Sequence, residues 1–443
     1  MASPRKPNPL PRRRFLGKTL ALGLGLTLLP RHVLGRGYIP PSETVNHVLI
    51  GCGGISAMHL GAVPGSGHRW IAVCDADAAR VAGHADRLQR ERGQRPREAR
   101  DFREVVGLAD ADVVHVCTPP HWHGVMAAAA ARAGKAVWSE KPLTRTIGEG
   151  LALVEVVERA RVPFRVNTWF RLNGGDFYGM GPAREIRRLV ASGVLGWPLT
   201  VRVASHNGGD TGSIREIHWK AGLWTGRTDL QPQPVPANLD WDLYCGPSPV
   251  IPYHPHRSHG TFRGYWNFDQ GGLGDMGQHF LDPVQYFLGK DREYPVSAES
   301  EAPSQDAMAC GTWKTVTLSY RDGCKIILES ELCPGHGTRP FIEGPNGRLW
   351  PDLRTDPPEL ARKAREFPLP ERQEDDFNLA VREKRPFGFG VRDAHHSCTL
   401  VNLAAMSVRL GRKVTLAEGA RAMVGDPQAQ RLHSPELRAP WRV

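Results

Sequence analysis

The fold is decided by the stretch VNHVLIGCGGISAMH, residues 45–59, in which an apolar run leads into a cluster of glycines. The run Val45 to Ile50 predicts a β-strand, and the residues after the glycines predict a helix. Gly51 permits a tight turn, and Gly53 lets the backbone approach a pyrophosphate that the helix N-terminus attracts through its dipole and free N–H groups. The stretch is typical of a dinucleotide-binding turn, although Ser56 stands where a third glycine is usual.

A second predicted strand, RWIAVCD, ends in Asp75, 24 residues after Gly51. A carboxylate at this place accepts hydrogen bonds from a ribose 2′-OH and repels a 2′-phosphate, so it favours NAD over NADP. Strands and helices continue to alternate, which predicts a parallel, doubly wound sheet. We therefore predict an α/β fold with an N-terminal Rossmann domain that binds NAD(P) over residues 44–165. The alternative is a flavodoxin-like or methyltransferase domain, which also has a strand, a glycine-rich turn and an acidic residue.

Glu140, Lys141 and Pro142 form the motif EKP directly after the predicted strand KAVWS. Open α/β sheets bind ligands at the carboxyl ends of their strands. The motif therefore predicts that Lys141 contacts a ligand. The alternative is a solvated lysine in a loop.

The alternation of strand and helix stops near residue 166. The segments LTVRVASHN, WKTVTLSY and CKIILESE predict strands of a large, open and mainly antiparallel sheet. Residues 166–443 are therefore predicted to form a second domain of the α+β kind.

Nine aromatic residues lie between residues 219 and 268, among many Gly, Pro and His. Aromatic rings stack on the apolar C–H faces of sugars, so this segment predicts a carbohydrate pocket. The alternative is that the rings form the core of a long loop. The run HPHRSH, residues 254–259, fits no firm metal-ligand spacing, and its histidines are predicted to lie on the surface.

The segment GGLGDMGQHFLDPVQYFLG, residues 271–289, predicts a helix that glycines open and close. Asp275 and His279 are four residues apart and share a face, beside an apolar stripe. A carboxylate next to an imidazole raises the pKa of the imidazole and orients its ring, which suits acid–base catalysis. The alternative is that both are polar surface residues. Pro283 predicts a kink just after His279.

The net charge of +11 comes mostly from residues 1–35, which hold seven Lys and Arg and no acidic residue. The remainder has 50 basic and 46 acidic residues and no basic stripe, so no nucleic-acid partner is predicted. No C-x-x-C pair occurs, and no metal site is predicted. Three of the eight cysteines are predicted as buried thiols (Cys52, Cys74 and Cys117), and pairing is left open for three others (Cys310, Cys324 and Cys333).

The run RRRFLGKTLALGLGLTLLP, residues 12–30, contains the R-R-x-F-L core of a twin-arginine signal. Its apolar part, residues 20–29, is shorter than the roughly 20 residues that span a bilayer. We therefore predict that residues 1–35 are a signal recognised by the twin-arginine translocase, which places the protein in the periplasm or otherwise outside the cytoplasm. Val33, Leu34 and Gly35 match a cleavage site only loosely, so a retained tether is the alternative.

Taken together, these motifs resemble the Gfo/Idh/MocA family, named after glucose-fructose oxidoreductase, inositol dehydrogenase and a rhizopine catabolism protein. The resemblance spans residues 44–440 and depends on the order and spacing of its motifs. The motifs are GCGGIS with His59, Asp75, TPPHWH with His123, the EKP at residues 140–142, and Asp275 with His279 in GDMGQH.

The resemblance implies a C-terminal domain that binds substrate and forms a homo-oligomer through its open sheet. Lys141, Asp275 and His279 would surround the reacting carbon, with His279 as general base, Asp275 as its partner and Lys141 as a hydrogen-bond donor. Arg171 matches a basic substrate position, although Gly174 and Gly175 replace a proline expected nearby. The cofactor contacts would come from Gly51, Gly53, Gly54, Ile55, Asp75, Thr118, Pro119, His123, Glu140 and Lys141.

Three functions are compatible with the sequence. The first is an NAD(P)-dependent dehydrogenase of a sugar, cyclitol or glycoside. The second is a redox-neutral enzyme that oxidises a glycoside, cleaves or isomerises it, and reduces it again. The third is a non-catalytic nucleotide sensor. Free NAD(H) is scarce outside the cytoplasm, so an exported enzyme is expected to fold around its NAD and to retain it during turnover.

Overall fold

The N-terminal half of the computed structural model is a sheet of six parallel strands in the order β3-β2-β1-β4-β5-β6. This arrangement confirms the predicted doubly wound Rossmann sheet. Its strands are β1 (Val45–Ile50), β2 (His68–Cys74), β3 (Arg97–Ala99), β4 (Val113–Val116), β5 (Ala136–Ser139) and β6 (Phe164–Val166). The helices between them are α1 (Ser56–Ala62), α2 (Ala78–Arg92), α3 (His123–Arg132) and α4 (Ile147–Ala160).

The structure describes residues 43–168, 171, 182–204, 224–330, 332–334, 339–350, 352–373 and 375–443. The predicted signal at residues 1–35 lies outside these ranges, as do Trp219 and the glycines at 174 and 175. Among the described helices, none is long and apolar enough to cross a membrane.

The local sequence explains the first sheet. Every residue of β4 and β5 is buried, as are five of the six residues of β1, because helices cover both faces of a parallel sheet. At the start of α2, the Asp77 side chain accepts a hydrogen bond from Ala79 N at 2.9 Å. The helix ends at Gly93, whose φ of 72° suits a glycine.

The second sheet has eight strands in the order β13-β12-β11-β7-β10-β9-β8-β14. All neighbours are antiparallel except β7 and β10, which confirms the predicted large and mainly antiparallel sheet. Its strands are β7 (Thr200–Ala204), β8 (Ser297–Glu301), β9 (Thr315–Ser319), β10 (Lys325–Glu329), β11 (Ile342–Gly344), β12 (Gly347–Leu349), β13 (Thr355–Asp356) and β14 (Val414–Thr415).

Helices cover one face of the second sheet, and two of them contribute many of the buried side chains of its core. The longest are α7 (Gly271–Leu288), which continues through Pro283, and α10 (Val391–Leu410), which packs on α7, β8 and β9. The others are α5 (Ala183–Ala191), α6 (Trp241–Cys245), α8 (Glu359–Ala364), α9 (Phe377–Glu383) and α11 (Pro427–His433).

The C-terminal part of the chain returns to the Rossmann domain. Phe377 of α9, Phe387, Phe389 and the first turns of α10 are buried in the core beneath β5 and β6. The predicted second domain of residues 166–443 therefore contributes part of the core of the first. The two halves share α10, because its two ends pack in different cores.

Arg171 lies in a buried ion-pair network rather than at a ligand cleft. Its Nε donates to Asp282 Oδ2 at 3.0 Å, and its Nη2 donates to Asp291 Oδ1 at 2.5 Å. The guanidinium also stacks on the ring of Phe389 at 4.7 Å. Its charge is thus balanced within the protein, and the substrate contact by Arg171 stays a prediction.

Replacing Arg171 by Met leaves the fully buried Asp282 carboxylate without its cation. We expect Arg171→Met to lower the free energy of unfolding by about 3–5 kcal/mol, because removing one partner strands a buried charge. Chemical denaturation measures the change. The matched control is Arg321→Met, which removes an arginine with a side chain 76% exposed and is expected to cost little. Equal effects of the two substitutions would contradict this role for Arg171.

Candidate functional site

A cleft of about 360 Å³ opens at the carboxyl ends of β1, β2, β4 and β5 and reaches the first turn of α7. This is the edge at which open α/β sheets bind ligands. The cleft brings together nine of the ten predicted cofactor residues: Gly51, Gly53, Gly54, Ile55, Asp75, Thr118, Pro119, Glu140 and Lys141.

The glycine turn after β1 forms one wall of the cleft. Gly51 has a φ of +95°, and a Cβ atom there would lie 2.5 Å from the carbonyl carbon of Cys117, so only glycine fits. A Cβ atom on Gly53 or Gly54 would meet no atom within 4 Å. The backbone at these two glycines therefore borders open space, which fits the close approach of a pyrophosphate.

Asp75 follows β2 at one end of the cleft. Its Oδ2 accepts from Cys52 N at 2.7 Å, and its Oδ1 accepts from Asp77 N at 2.9 Å. Burial raises the pKa of Asp75, and these two hydrogen bonds oppose the shift. Each carboxylate oxygen retains a lone pair, so the group can also accept from a ribose hydroxyl. Arg80 and Arg100 line the cleft near Asp75.

His123 was predicted to contact the cofactor, but it lies behind the cleft and is 1% exposed. Its Nδ1 lies 2.6 Å from the carbonyl oxygen of Pro142, and its Nε2 lies 2.7 Å from that of Thr118. The ring thus joins the loop after β4 to the loop after β5. We assign His123 a role in positioning these loops.

Lys141 lies at the other end of the cleft, against α7. Its Nζ donates to the backbone oxygen of Asp275 at 2.5 Å and to Oδ1 of the same residue at 3.2 Å. Arg263 Nε lies 2.7 Å from the same Oδ1. Burial opposes ionisation of Asp275, but the charges of Lys141 and Arg263 outweigh it and hold the pKa of Asp275 well below its usual range.

The partnership of Asp275 with His279 stays a prediction. The two residues share α7, but Asp275 makes its described ion pairs with Lys141 and Arg263. His279 is 2% exposed and is not among the residues that line the described cleft. The structure therefore brings Lys141 and Asp275 together, and the role of His279 as general base stays a prediction.

Several cleft residues were missed by the sequence analysis. Asp269 is 1% exposed and lies just before α7, where its Oδ1 accepts from Gln270 N at 2.8 Å. Burial and the charge of Asp275 raise the pKa of Asp269 to about 7. The signal in the sequence was an acidic residue next to the glycines that open α7, but nothing local indicated its neighbours.

The aromatic segment contributes both to a buried core and to the cleft, and its role as a carbohydrate pocket stays a prediction. Five of its rings form a separate buried core, and two aromatic residues, Tyr244 and Phe262, line the cleft. Of the histidines predicted to lie on the surface, His259 has a side chain that is 37% exposed and also lines the cleft. The five core rings are Trp241, Tyr244, Tyr253, Tyr265 and Phe268.

All eight cysteines lie among the described residues, and all are buried free thiols. The pairing left open for Cys310, Cys324 and Cys333 is not present. Burial raises the pKa of each of these three thiols, which lowers the fraction present as reactive thiolate.

Comparisons with known proteins support the assignment of the two halves. Residues 45–168 match the model described as "Oxidoreductase family, NAD-binding Rossmann fold". Residues 180–443 match the model described as "Oxidoreductase family, C-terminal alpha/beta domain". Both models belong to the Gfo/Idh/MocA group.

Two individual relatives align with about a third of this chain. A D-apiose dehydrogenase of Paraburkholderia graminis is 32% identical over 167 residues, which are 35% of this chain and 39% of the relative. A glycosyl hydrolase family 109 protein of Saccharopolyspora erythraea is 32% identical over 184 residues, which are 35% of this chain and 38% of the relative. The chain thus aligns with less than half the length of these two relatives.

One solved structure shows the fold over most of the chain. The WlbA dehydrogenase from Bordetella pertussis, solved in complex with NADH and UDP-GlcNAcA, matches with a TM-score of 0.53 and 16% identity. The match covers 85% of this chain and 98% of that protein. With two family models that together match most of its residues, the chain belongs to the Gfo/Idh/MocA oxidoreductase family.

Proposed function

We propose that this protein is an NAD-dependent oxidoreductase that transfers hydride between the nicotinamide and a carbon atom of a sugar, cyclitol or glycoside. The observation that carries the proposal is one continuous cleft with a glycine turn and Asp75 at one end and the Lys141–Asp275 ion pair at the other. A dinucleotide has the same polarity, with a ribose at one end and a reactive ring at the other.

The residues at the first end would hold the cofactor. The backbone at Gly53 and Gly54 leaves space for the pyrophosphate, and Asp75 is placed to accept from a ribose hydroxyl. Bound NAD supplies the acceptor or donor of the hydride. The carboxylate favours NAD over NADP, although Arg80 and Arg100 add positive charge nearby.

Lys141 would act at the reacting oxygen of the substrate. Its ammonium group is held by Asp275, and Arg263 shares that carboxylate, so a donor with fixed orientation faces the cleft. A fixed donor stabilises the negative charge that develops on oxygen as a hydroxyl becomes a carbonyl.

Asp269 offers a proton acceptor in the same cleft. A pKa of about 7 places the carboxyl between its two protonation states at neutral pH, which suits a general acid or base. His279, implied as the base by the family resemblance, is the other candidate. The pH dependence of turnover would differ according to which of the two residues acts as the base.

A redox-neutral reaction on glycosides is the second candidate. The twin-arginine motif at residues 12–16 and the likeness to a glycosyl hydrolase family 109 protein both favour it. We propose that the protein is exported in folded form by the twin-arginine translocase, carries its NAD with it, and regenerates the cofactor in place. We also propose that it forms a homo-oligomer through its open second sheet.

Replacing Lys141 by Met is expected to lower kcat by about 10²–10⁴-fold, because the lost donor acts in the transition state. Arg263 still balances Asp275, so the fold should persist. The measurement is turnover of a panel of sugars, cyclitols and aryl glycosides. The control is Lys314→Met, at an exposed surface lysine. Unchanged turnover by Lys141→Met would contradict this role of Lys141, and no turnover of any panel member by the wild type would favour a nucleotide sensor.

Retention of the cofactor separates the two enzymatic reactions. We expect protein purified without added nucleotide to release NAD on denaturation, and to convert an aryl glycoside without any cofactor being supplied. Chromatography of the released nucleotide and of the products makes the measurement. Activity only on addition of NAD⁺, with stoichiometric NADH formed, would support the simple dehydrogenase and contradict retention.

Replacing Asp269 by Asn tests its raised pKa. Because the folded-state pKa of about 7 lies above the ordinary value of about 4, the wild type loses stability as pH rises from 4 through 7. The Asn variant lacks this loss, so its stability relative to wild type should rise by up to about 4 kcal/mol over that range. Denaturation at several pH values measures it, with the exposed Asp110→Asn as control. Parallel curves for Asp269→Asn and wild type would contradict the shift.

A further inference from the structure

Four buried histidines form a continuous hydrogen-bonded chain through the Rossmann domain. His59 lies on α1, His115 on β4, His47 on β1 and His68 at the start of β2. We call them the histidine chain. His47 and His115 are fully buried, His59 is 1% exposed and His68 is 7% exposed.

The contacts of the histidine chain are uniform in length. His59 Nδ1 lies 2.9 Å from His115 Nδ1, and His115 Nε2 lies 2.9 Å from His47 Nδ1. His47 Nε2 in turn lies 2.9 Å from His68 Nδ1. The two inner rings, His115 and His47, therefore use both of their nitrogens within the histidine chain. Each of the two end rings has its second nitrogen directed away from the chain.

The two ends of the histidine chain reach different surroundings. At one end, His59 Nε2 lies 2.9 Å from Oε1 of Glu140, which lines the cleft. At the other end, Arg382 Nη2 lies 2.9 Å from Nε2 of His68. Arg382 is exposed on α9. The histidine chain thus runs from the cleft to the surface.

The chemistry of the ends fixes where each ring carries its proton. A guanidinium can only donate, so His68 Nε2 accepts from Arg382 and His68 donates through Nδ1. An ionised carboxylate can only accept. Burial opposes ionisation of Glu140, but hydrogen bonds from His59 and Asn167 help to lower its pKa to about 2. Glu140 therefore accepts from His59.

Between these ends only one arrangement of neutral rings makes every hydrogen bond. The proton lies on Nδ1 of His68, His47 and His115 and on Nε2 of His59. Burial lowers the pKa of His47 to about 3, that of His68 to about 4 and that of His115 well below its ordinary value, which keeps these rings neutral. All N–H bonds of the histidine chain then point toward Glu140.

Water is kept away from the middle of the histidine chain. Trp70 packs on His115 with ring centroids 4.7 Å apart, and Trp138 stacks on the same ring at 5.3 Å. Nearby charges are those of Arg165 at His115, and of Arg92, Arg382 and Asp376 at His68. Apolar side chains would fill a parallel sheet at lower cost than four polar rings, so a further role for the rings is indicated.

We propose that the histidine chain is a proton relay that joins Glu140 in the cofactor cleft to the protein surface beside Arg382. Oxidation of a hydroxyl to a carbonyl releases one proton for each hydride transferred, and the reverse reaction takes one up. A relay gives protons a path between solvent and Glu140 that does not pass through the cleft opening. Glu140 directly precedes Lys141, whose backbone N donates to Glu140 Oε2 at 3.2 Å.

The transfer is balanced at each ring. When the exposed Arg382 side chain moves aside, a proton from solvent binds His68 Nε2, and the Nδ1 proton of His68 passes to Nε2 of His47. The Nδ1 proton of His47 passes to Nε2 of His115, and that of His115 passes to Nδ1 of His59. The Nε2 proton of His59 then passes to Oε1 of Glu140. One N–H bond forms and one breaks at every ring, and no electrons are exchanged.

The relay alternates in direction. After one proton has moved inward, each ring carries its proton on the side that faces the surface, so the next transfer runs outward from Glu140 without rotation of a buried ring. Alternate uptake and release matches an enzyme that oxidises and reduces in turn with one retained cofactor. This last step rests on the proposed function, whereas the relay itself does not.

Hydrogen exchange of the ring protons tests the relay without any substrate. In protein labelled with ¹⁵N-histidine, ¹⁵N shifts should show the tautomers given above. A relay connects the Nδ1 proton of His115 to solvent, so this proton should exchange at least about tenfold faster than the backbone amides of β1 and β4. His68→Phe interrupts the path and should slow it to the amide rate, whereas His433→Gln, at a buried histidine elsewhere, should not.

A fixed network that only orients Glu140 predicts the opposite result. In that case the ring proton of His115 exchanges at the amide rate in the wild type, and this result would overturn the relay. Should His68→Phe fail to fold, Arg382→Ala at the exposed end decides the same question. Removal of the arginine uncaps His68 Nε2 and should speed exchange at His115 several-fold, and an unchanged rate would contradict the relay.

Discussion

The ion pair between Lys141 and Asp275 holds the reacting end of the cleft together. Lys141 belongs to the loop after β5 and Asp275 to α7, so the pair joins the Rossmann domain to the second domain. Gln278, one turn along α7, strengthens the junction, because its Oε1 accepts from Leu143 N at 2.9 Å and its Nε2 donates to the Ala394 carbonyl oxygen. Both domains must therefore be folded and in contact before the donor group of the site is in place.

Local patterns in the sequence were sufficient for the fold and for one wall of the site. A glycine turn between a buried strand and a helix has few alternatives, and the ends of parallel strands meet at one edge, so Gly51, Asp75 and Lys141 were predicted correctly to share a cleft. Contacts between distant segments were not predictable. Asp269 and Arg263 enter the site from the segment before α7, and neither has a periodicity or a spacing that reveals its partner.

Two other features of the structure also depend on contacts between distant segments. Arg171 is predicted to contact substrate from its place in the chain, and the structure shows that the buried Asp282 on α7 and the partly exposed Asp291 after it balance its charge. Taken one at a time, the histidines in the apolar runs VNHVLIG and VVHVCT do not indicate a network, because a buried histidine usually finds some hydrogen-bond partner. Only the sheet order, which sets β1 between β2 and β4, shows that their rings contact one another. Export with a retained cofactor would connect the N-terminal motif, the cleft and this chain of rings in one reaction cycle.

The central claim is that the cleft holds a nicotinamide dinucleotide in one orientation, with hydride chemistry at Lys141. A crystal structure of the protein with NADH tests it most directly. We expect the pyrophosphate against Gly53 and Gly54, the adenosine ribose hydroxyls on Asp75, and the nicotinamide ring beside Lys141 and Asp275. A dinucleotide bound outside this cleft, or bound in reverse with its nicotinamide at Asp75, would show that this assignment of the cleft is wrong.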